Sequence, residues 1–172
     1  YRSRSSATTA ARIRSEWKYK WLQEIVDYLS RFLELPGVNF PDWPFPKDPL
    51  QIPMKHIEIA ASSLREYWGL GDGIISNTIY LLENNGAIVT RIHFDVEALD
   101  AFSNWRWVEG RPYVILGADK LSASRSRLDV AHELGHMILH RNVERDDFKK
   151  KHIFAHIEKQ AFLFAGAFLM PE

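Results

Sequence analysis

The chain has 172 residues, 46% apolar and 26% charged, with zero formal net charge and no cysteine. That is enough for one folded domain with a hydrophobic core, and it excludes disulfide scaffolds and thiolate metal sites, leaving nitrogen and oxygen as metal ligands. No apolar run reaches the roughly 20 residues of a membrane-spanning helix, and no apolar leader follows the Arg- and Ser-rich start, so a cytoplasmic protein without a membrane partner is expected.

The charge is uneven along the chain. Residues 1–20 hold Arg2, Arg4, Arg12, Arg14, Lys18 and Lys20 against Glu16 alone. Such a basic arm reads as a solvated leader before it reads as a nucleic-acid contact. The start at Tyr1 rather than Met suggests a piece of a longer protein. Thr8 or Thr9 is a cap for a helix running to about Leu35, with Trp17, Trp21, Leu22, Ile25, Leu29, Phe32 and Leu33 at helical spacing. Pro36 and Gly37 end it. Six prolines between Pro36 and Pro53 then disfavour regular structure and predict an extended linker. Trp43 and Phe45 inside it are expected to dock on a neighbouring surface. The expected division is therefore an N-terminal helical arm and Pro-rich linker at 1–50, then a main domain at 51–172.

In the main domain, Ile57, Ala60, Ala61, Leu64 and Trp68 mark a helix that Gly69 stops. A shorter helix fits Asn77 to Asn84, with Gly86 just past its C-terminus. Ala87 to Phe94 reads as a strand, and Trp105 to Val108 with Tyr113 to Leu116 as a hairpin around Glu109-Gly110. A helix from about Ser124 to His140, a polar loop from Arg141 to Lys151, and a last helix from about Ile153 to Leu169 complete the chain, with Pro171 marking the end. Helices, a small segregated sheet and two further helices predict an α+β fold.

The informative stretch is Ala131-His-Glu-Leu-Gly-His136, which contains H-E-x-x-H. Residues four apart share one helix face, about 6 Å apart along the axis. Two imidazoles placed so converge on one zinc ion at about 2.0–2.1 Å each. Glu133, rotated about 100° from His132, reaches the water beside the ion and suits a general base. The competing reading is a surface helix with two ordinary histidines. Against it stand an apolar set on the same helix, Leu128, Ala131, Leu134 and Ile138, and the strand pattern at Tyr113 to Leu116 just before it. An edge strand beside such a helix can hold a peptide by backbone pairing.

A catalytic zinc needs a third protein ligand and one open position. His140, His152, His156, Glu144 and Glu158 are the candidates. His140 lies about 12 Å along the axis from His132, too far to share the ion, and suits a supporting or core role. Glu158 lies on a separate helix whose face also carries Ala161 and Ala165, and small residues there let two helices approach closely. His156 is about 200° around the same helix from Glu158. Gly135, costing about 1 kcal/mol in a helix relative to Ala, points to close approach by another backbone. Asp129, one turn before the motif, is a candidate to orient a ligand or a first-turn acid favoured by the helix dipole. For the donor that would share the charge of a tetrahedral intermediate, His152, His156, His140 and Tyr113 stay open.

The run Arg125 to His140, followed by Glu158-Lys-Gln-Ala-Phe-Leu-Phe-Ala-Gly-Ala-Phe-Leu-Met-Pro171, resembles the ImmA/IrrE metallopeptidases. Similarity extends upstream through Glu58 to Arg65 and Leu81 to Gly86, covering roughly Ile52 to Pro171. The resemblance implies a zincin-like metallopeptidase domain with His132, His136 and Glu158 as zinc ligands and Glu133 as catalytic base. Where that family often carries Asn, this chain has Phe162, which puts a polar contact there in doubt. Residues 1–50 are similar to the segment that, in one branch, joins an XRE-type helix-turn-helix domain to the peptidase. That branch implies DNA binding through a domain upstream of Tyr1, and a helix-turn-helix repressor as the protein substrate. The rival expectation is a zinc-bound regulatory or sensor module of a transcription factor or antitoxin with little peptidase activity.

Overall fold

A computed structural model describes residues 9–92, 101–106, 110–118, 123–144 and 146–171. The basic residues before Thr9, His93 and Phe94 at the end of the expected first strand, and Val108 and Glu109 of the expected hairpin lie outside them. Helix α1 spans Thr9–Leu29, α2 Met54–Tyr67, α3 Thr78–Asn84, α4 Ala123–Leu139 and α5 Lys151–Leu169. Strands β1 (Ile88–Ile92), β2 (Ala101–Arg106) and β3 (Arg111–Gly117) form one sheet in the order β1-β3-β2. The fold is α+β, as the segregated pattern predicts. No helix among the described residues is long and apolar enough to cross a membrane.

β3 pairs with β1 in parallel and with β2 antiparallel. It is therefore the central strand, which corrects the expectation that Tyr113 to Leu116 forms the edge beside the motif helix. The physical reason is in its composition. Tyr113, Val114, Ile115 and Leu116 are all buried, and a strand covered on both faces reads as a continuous apolar run rather than an alternating one. Among the described strands, the edge that packs on α4 is β2.

The main core lies between one sheet face and helices α2 to α5. Ile57, Leu64, Leu82, Val114, Leu116, Leu134 and Phe168 belong to it. The rings of Phe164 and Phe168 stack along α5, and Trp68 meets Phe168 edge-on. Arg65 is buried at the end of α2, where it donates to the carbonyls of Gly71, Gly73 and Phe168. A cation on the last carbonyls of α5 is favoured by the helix dipole. Asn77 caps α3 by accepting from the Tyr80 amide. Gly86 has φ +88°, and a Cβ there would lie 2.5 Å from the Gly37 carbonyl, so only glycine fits.

The Pro-rich stretch is a docked strap. Phe40, Trp43 and Phe45 pack against the main core, as expected for the two aromatics the sequence singles out. The strap contains one short 3-10 turn, Pro49–Gln51, where Asp48 accepts from the Leu50 amide. Helix α1 ends at Leu29, several residues before the expected Leu35, because Ser30 to Leu33 continue only as turns. It lies on the other sheet face, where Tyr19 meets Tyr113 edge-on. Its expected apolar stripe is mostly not what it buries: Trp17, Trp21, Ile25, Leu29, Phe32 and Leu33 are exposed and Leu22 is half-buried, while Val26 is buried.

Candidate metal centre

Helix α4 carries the motif in a fully enclosed position. Residues 130–140 are all buried, so this half of the helix has no solvent face, unlike the amphipathic helix that the pattern suggests. Leu128, expected in the apolar set, is partly exposed at 38%. Burial on all sides follows from four neighbours: β2 and β3 on one side, α5 on the other, and α3 at its flank.

α5 approaches α4 closely because the contact is built from small residues. Ala161 and Ala165 are fully buried there, and a Cβ added at Gly135 would sit 3.1 Å from the Ala161 carbonyl oxygen. The close approach expected at Gly135 is present, and it brings Glu158 to the two histidines. The Nε2 atoms of His132 and His136 lie 3.0 Å apart. Glu158 Oε2 is 3.5 Å from His132 Nε2, and Glu158 Oε1 is 3.3 Å from His136 Nε2. One ligand atom from each of the three residues falls within 4.8 Å of the others.

The donor set fits a divalent cation. Two imidazole nitrogens point at each other in a buried site, where they can share at most one proton between them. A carboxylate closes the third side and supplies negative charge. Burial alone would raise the Glu158 pKa, but the adjoining His132 and His136 bring it well below the usual carboxylate range. His136 is held below its ordinary value, first by burial. Both therefore carry free lone pairs near neutral pH, the state a metal requires.

Glu133 is also buried, at 1% exposure. Burial would raise its pKa, yet the positive charge around it and a hydrogen bond from Ser103 leave it lowered. Its Oε2 has no hydrogen-bond partner. Ser103 is buried on β2, and sequence reasoning missed it: a single serine in a strand carries no motif.

The remaining candidates divide. His140 is buried, with Nδ1 3.1 Å from His136 Nδ1 and Nε2 2.9 Å from Gln160 Oε1. It touches a candidate ligand without entering the cluster, in keeping with the helical rise. Burial, followed by the neighbouring His136, lowers its pKa to about 3. Gln160 was also missed, although a glutamine among Ile157, Ala161 and Phe164 on the apolar face of α5 is a legible signal. Asp129 is half-buried, one turn before His132. His152 is exposed in the first turn of α5, Glu144 is exposed in the loop before it, and His156 is half-exposed on α5 with a buried, unpartnered Nε2. None of these three is in the cluster with His132 and His136. Tyr113 needs correction. Ser103 pairs with Val114, so both face α4, and the next residue along, Tyr113, faces away toward Tyr19. Its phenol is on the wrong side of the sheet to serve as a donor to the cluster.

Phe162 packs on His132 with ring centroids 4.3 Å apart, while His132 Nδ1 is buried without a hydrogen-bond partner. The polar contact put in doubt at this position is indeed missing.

A family model described as Peptidase_M78, IrrE N-terminal-like domain, matches residues 82–172. The matched span contains all three strands, α4 and α5, and thus every residue of the cluster. No curated protein matches the chain.

Proposed function

The chain belongs to the IrrE N-terminal-like domain family, Peptidase_M78, and from that premise we propose that it is a zinc-dependent endopeptidase acting in the cytoplasm on a protein substrate, a helix-turn-helix transcriptional repressor. The observation that carries the reading is the buried convergence of His132, His136 and Glu158 beside the buried carboxyl of Glu133. Structural ion-pair networks also bury histidines and acids, but here two imidazole nitrogens and both oxygens of one carboxylate converge on a single buried point.

His132 and His136 would hold the ion through Nε2, and Glu158 through its carboxylate. Bound there, zinc supplies Lewis-acid polarisation of the scissile carbonyl and a water of lowered pKa. Glu133 takes a proton from the attacking water on Oε2 and returns it to the leaving amine. Ser103 holds the Glu133 carboxyl in place, leaving Oε2 free for that exchange. An extended substrate would add to the outer edge of β2, whose inner edge is taken by β3, through backbone hydrogen bonds. In this reading the basic residues before α1 connect to an upstream DNA-binding helix-turn-helix module.

The test is Glu133→Gln. The peptidase reading expects wild-type zinc content and loss of cleavage of a co-expressed helix-turn-helix repressor by at least 100-fold, the scale of a lost general base. Unchanged regulatory output in that variant would instead assign the chain to a zinc-bound sensor or scaffold.

A further inference from the structure

We propose that Gln160 is a positioning residue for the metal site: through His140 it sets the tautomer of His136 that directs the Nε2 lone pair into the cluster. This rests on His136 being a metal ligand, as proposed above.

The argument is one of donors and acceptors. Gln160 is fully buried. Its Nε2 lies 2.8 Å from the Pro49 carbonyl and 3.3 Å from the Ile52 carbonyl. Carbonyl oxygens only accept, so the atom facing both of them must be the NH2 group. The reversed amide would set three oxygens against each other in a dry site. With the NH2 so held, Oε1 faces His140 Nε2 at 2.9 Å. An amide oxygen also only accepts, so His140 Nε2 carries a hydrogen.

His140 is 4% exposed, and its two ring nitrogens meet a neutral amide and another imidazole. A charge on this ring would have no directly bonded counter-charge, so the ring is neutral. Its Nδ1 then holds a lone pair. His136 Nδ1, at 3.1 Å, must donate to it. A neutral His136 protonated on Nδ1 leaves Nε2 unprotonated, and Nε2 is the atom that faces His132 and Glu158.

The chain of contacts therefore runs from two backbone carbonyls of the strap to the lone pair of a candidate ligand. Its anchor is a 3-10 turn that Pro49 opens, Ile52 closes and Asp48 caps. His132 has no equivalent support, since its Nδ1 is without a partner. Outer contacts of this kind typically change metal affinity by about 10–100-fold when removed.

The experiment uses the whole chain in two states. Long-range proton–nitrogen NMR on the metal-free wild type reads the His136 tautomer directly. Protonation on Nδ1 is expected; protonation on Nε2 overturns the proposal, whether or not any variant folds. Zinc affinity is then measured by chelator competition for Gln160→Met. Methionine keeps the volume and removes the acceptor, so zinc binding weakens about tenfold or more and the His136 tautomers mix. A mere packing role predicts wild-type affinity and a single His136 tautomer in that variant, and that result would sink the idea. A wild-type chain that binds no zinc defeats the peptidase reading separately, because the tautomer is read without metal.

Discussion

Gly135 faces the backbone of Ala161 across the α4–α5 contact, and a Cβ on Gly135 would lie 3.2 Å from the Ala161 Cα and 3.1 Å from its carbonyl oxygen. The opposing atoms are mostly backbone and cannot rotate away. Gly135→Ala gains about 1 kcal/mol of helix propensity but forces the two helices apart, and overpacking costs about 1–3 kcal/mol. The expected net effect is a destabilisation of about 1 kcal/mol by denaturant titration. Zinc affinity should fall as well, since the same displacement moves Glu158 away from His136. A variant more stable than wild type with unchanged zinc binding would show that the contact is slack.

Glu158 brings the negative charge to the cluster, and its two oxygens lie 3.3 and 3.5 Å from the imidazoles. Glu158→Gln preserves size and removes the charge. Zinc stoichiometry in the purified protein should drop well below one per chain, with the fold retained. In the wild type, zinc at about 1,000 times its dissociation constant adds about 4 kcal/mol to apparent stability. Chelation should therefore lower the melting temperature of the wild type and leave that of Glu158→Gln nearly unmoved. Equal shifts in both proteins would place the metal elsewhere.

The H-E-x-x-H spacing made His132, Glu133 and His136 legible because helical periodicity alone puts them together. Glu158 was readable for a related reason: its helix carries Ala161 and Ala165 where a close neighbour needs room. Strand order was harder. The apolar run Tyr113 to Leu116 could be taken for an edge strand, although covering both faces requires a central one. The α1 stripe misled because spacing shows that residues share a face and not that anything covers it; Val26 is buried there, not Trp17 or Trp21. Ser103 was invisible as a site residue, since its role arises from a contact across the fold with Glu133; Gln160 stood out as a polar residue on an apolar face, but its contact with Pro49 did not.

His140 has a pKa of about 3 against its ordinary 6.5, and His136 is also lowered, burial being the first cause in both. As pH falls below about 6.5, the unfolded chain protonates these rings while the folded chain does not. Stability is thus complete above pH 6.5 and declines as pH falls toward 3. Urea titrations of the metal-free protein at pH 7.5 and pH 5 should show the loss. Glu133 and Glu158 add a loss of the same sign only below about 4.5, where the unfolded carboxylates protonate. His140→Gln removes one of the two titrating rings, so the difference between pH 7.5 and pH 5 should shrink in that variant. An unchanged difference would mean that another group dominates.

To hold a metal, His132 must present Nε2, which places its hydrogen on Nδ1, and that atom is buried with no acceptor. An unsatisfied buried donor costs about 1–3 kcal/mol. The neighbour that covers the ring is Phe162, which offers carbon only. Phe162→Asn exchanges that packing for an amide oxygen beside the imidazole. Two opposite effects are expected. The half-buried aromatic contact is lost, so the metal-free protein becomes less stable. The Nδ1 hydrogen gains an acceptor, so zinc binds severalfold more tightly once the fold is formed. Chelator competition and denaturant titration on the same preparation separate the two. Weaker zinc binding in Phe162→Asn would mean that ring packing, and not a hydrogen bond, is what orients His132.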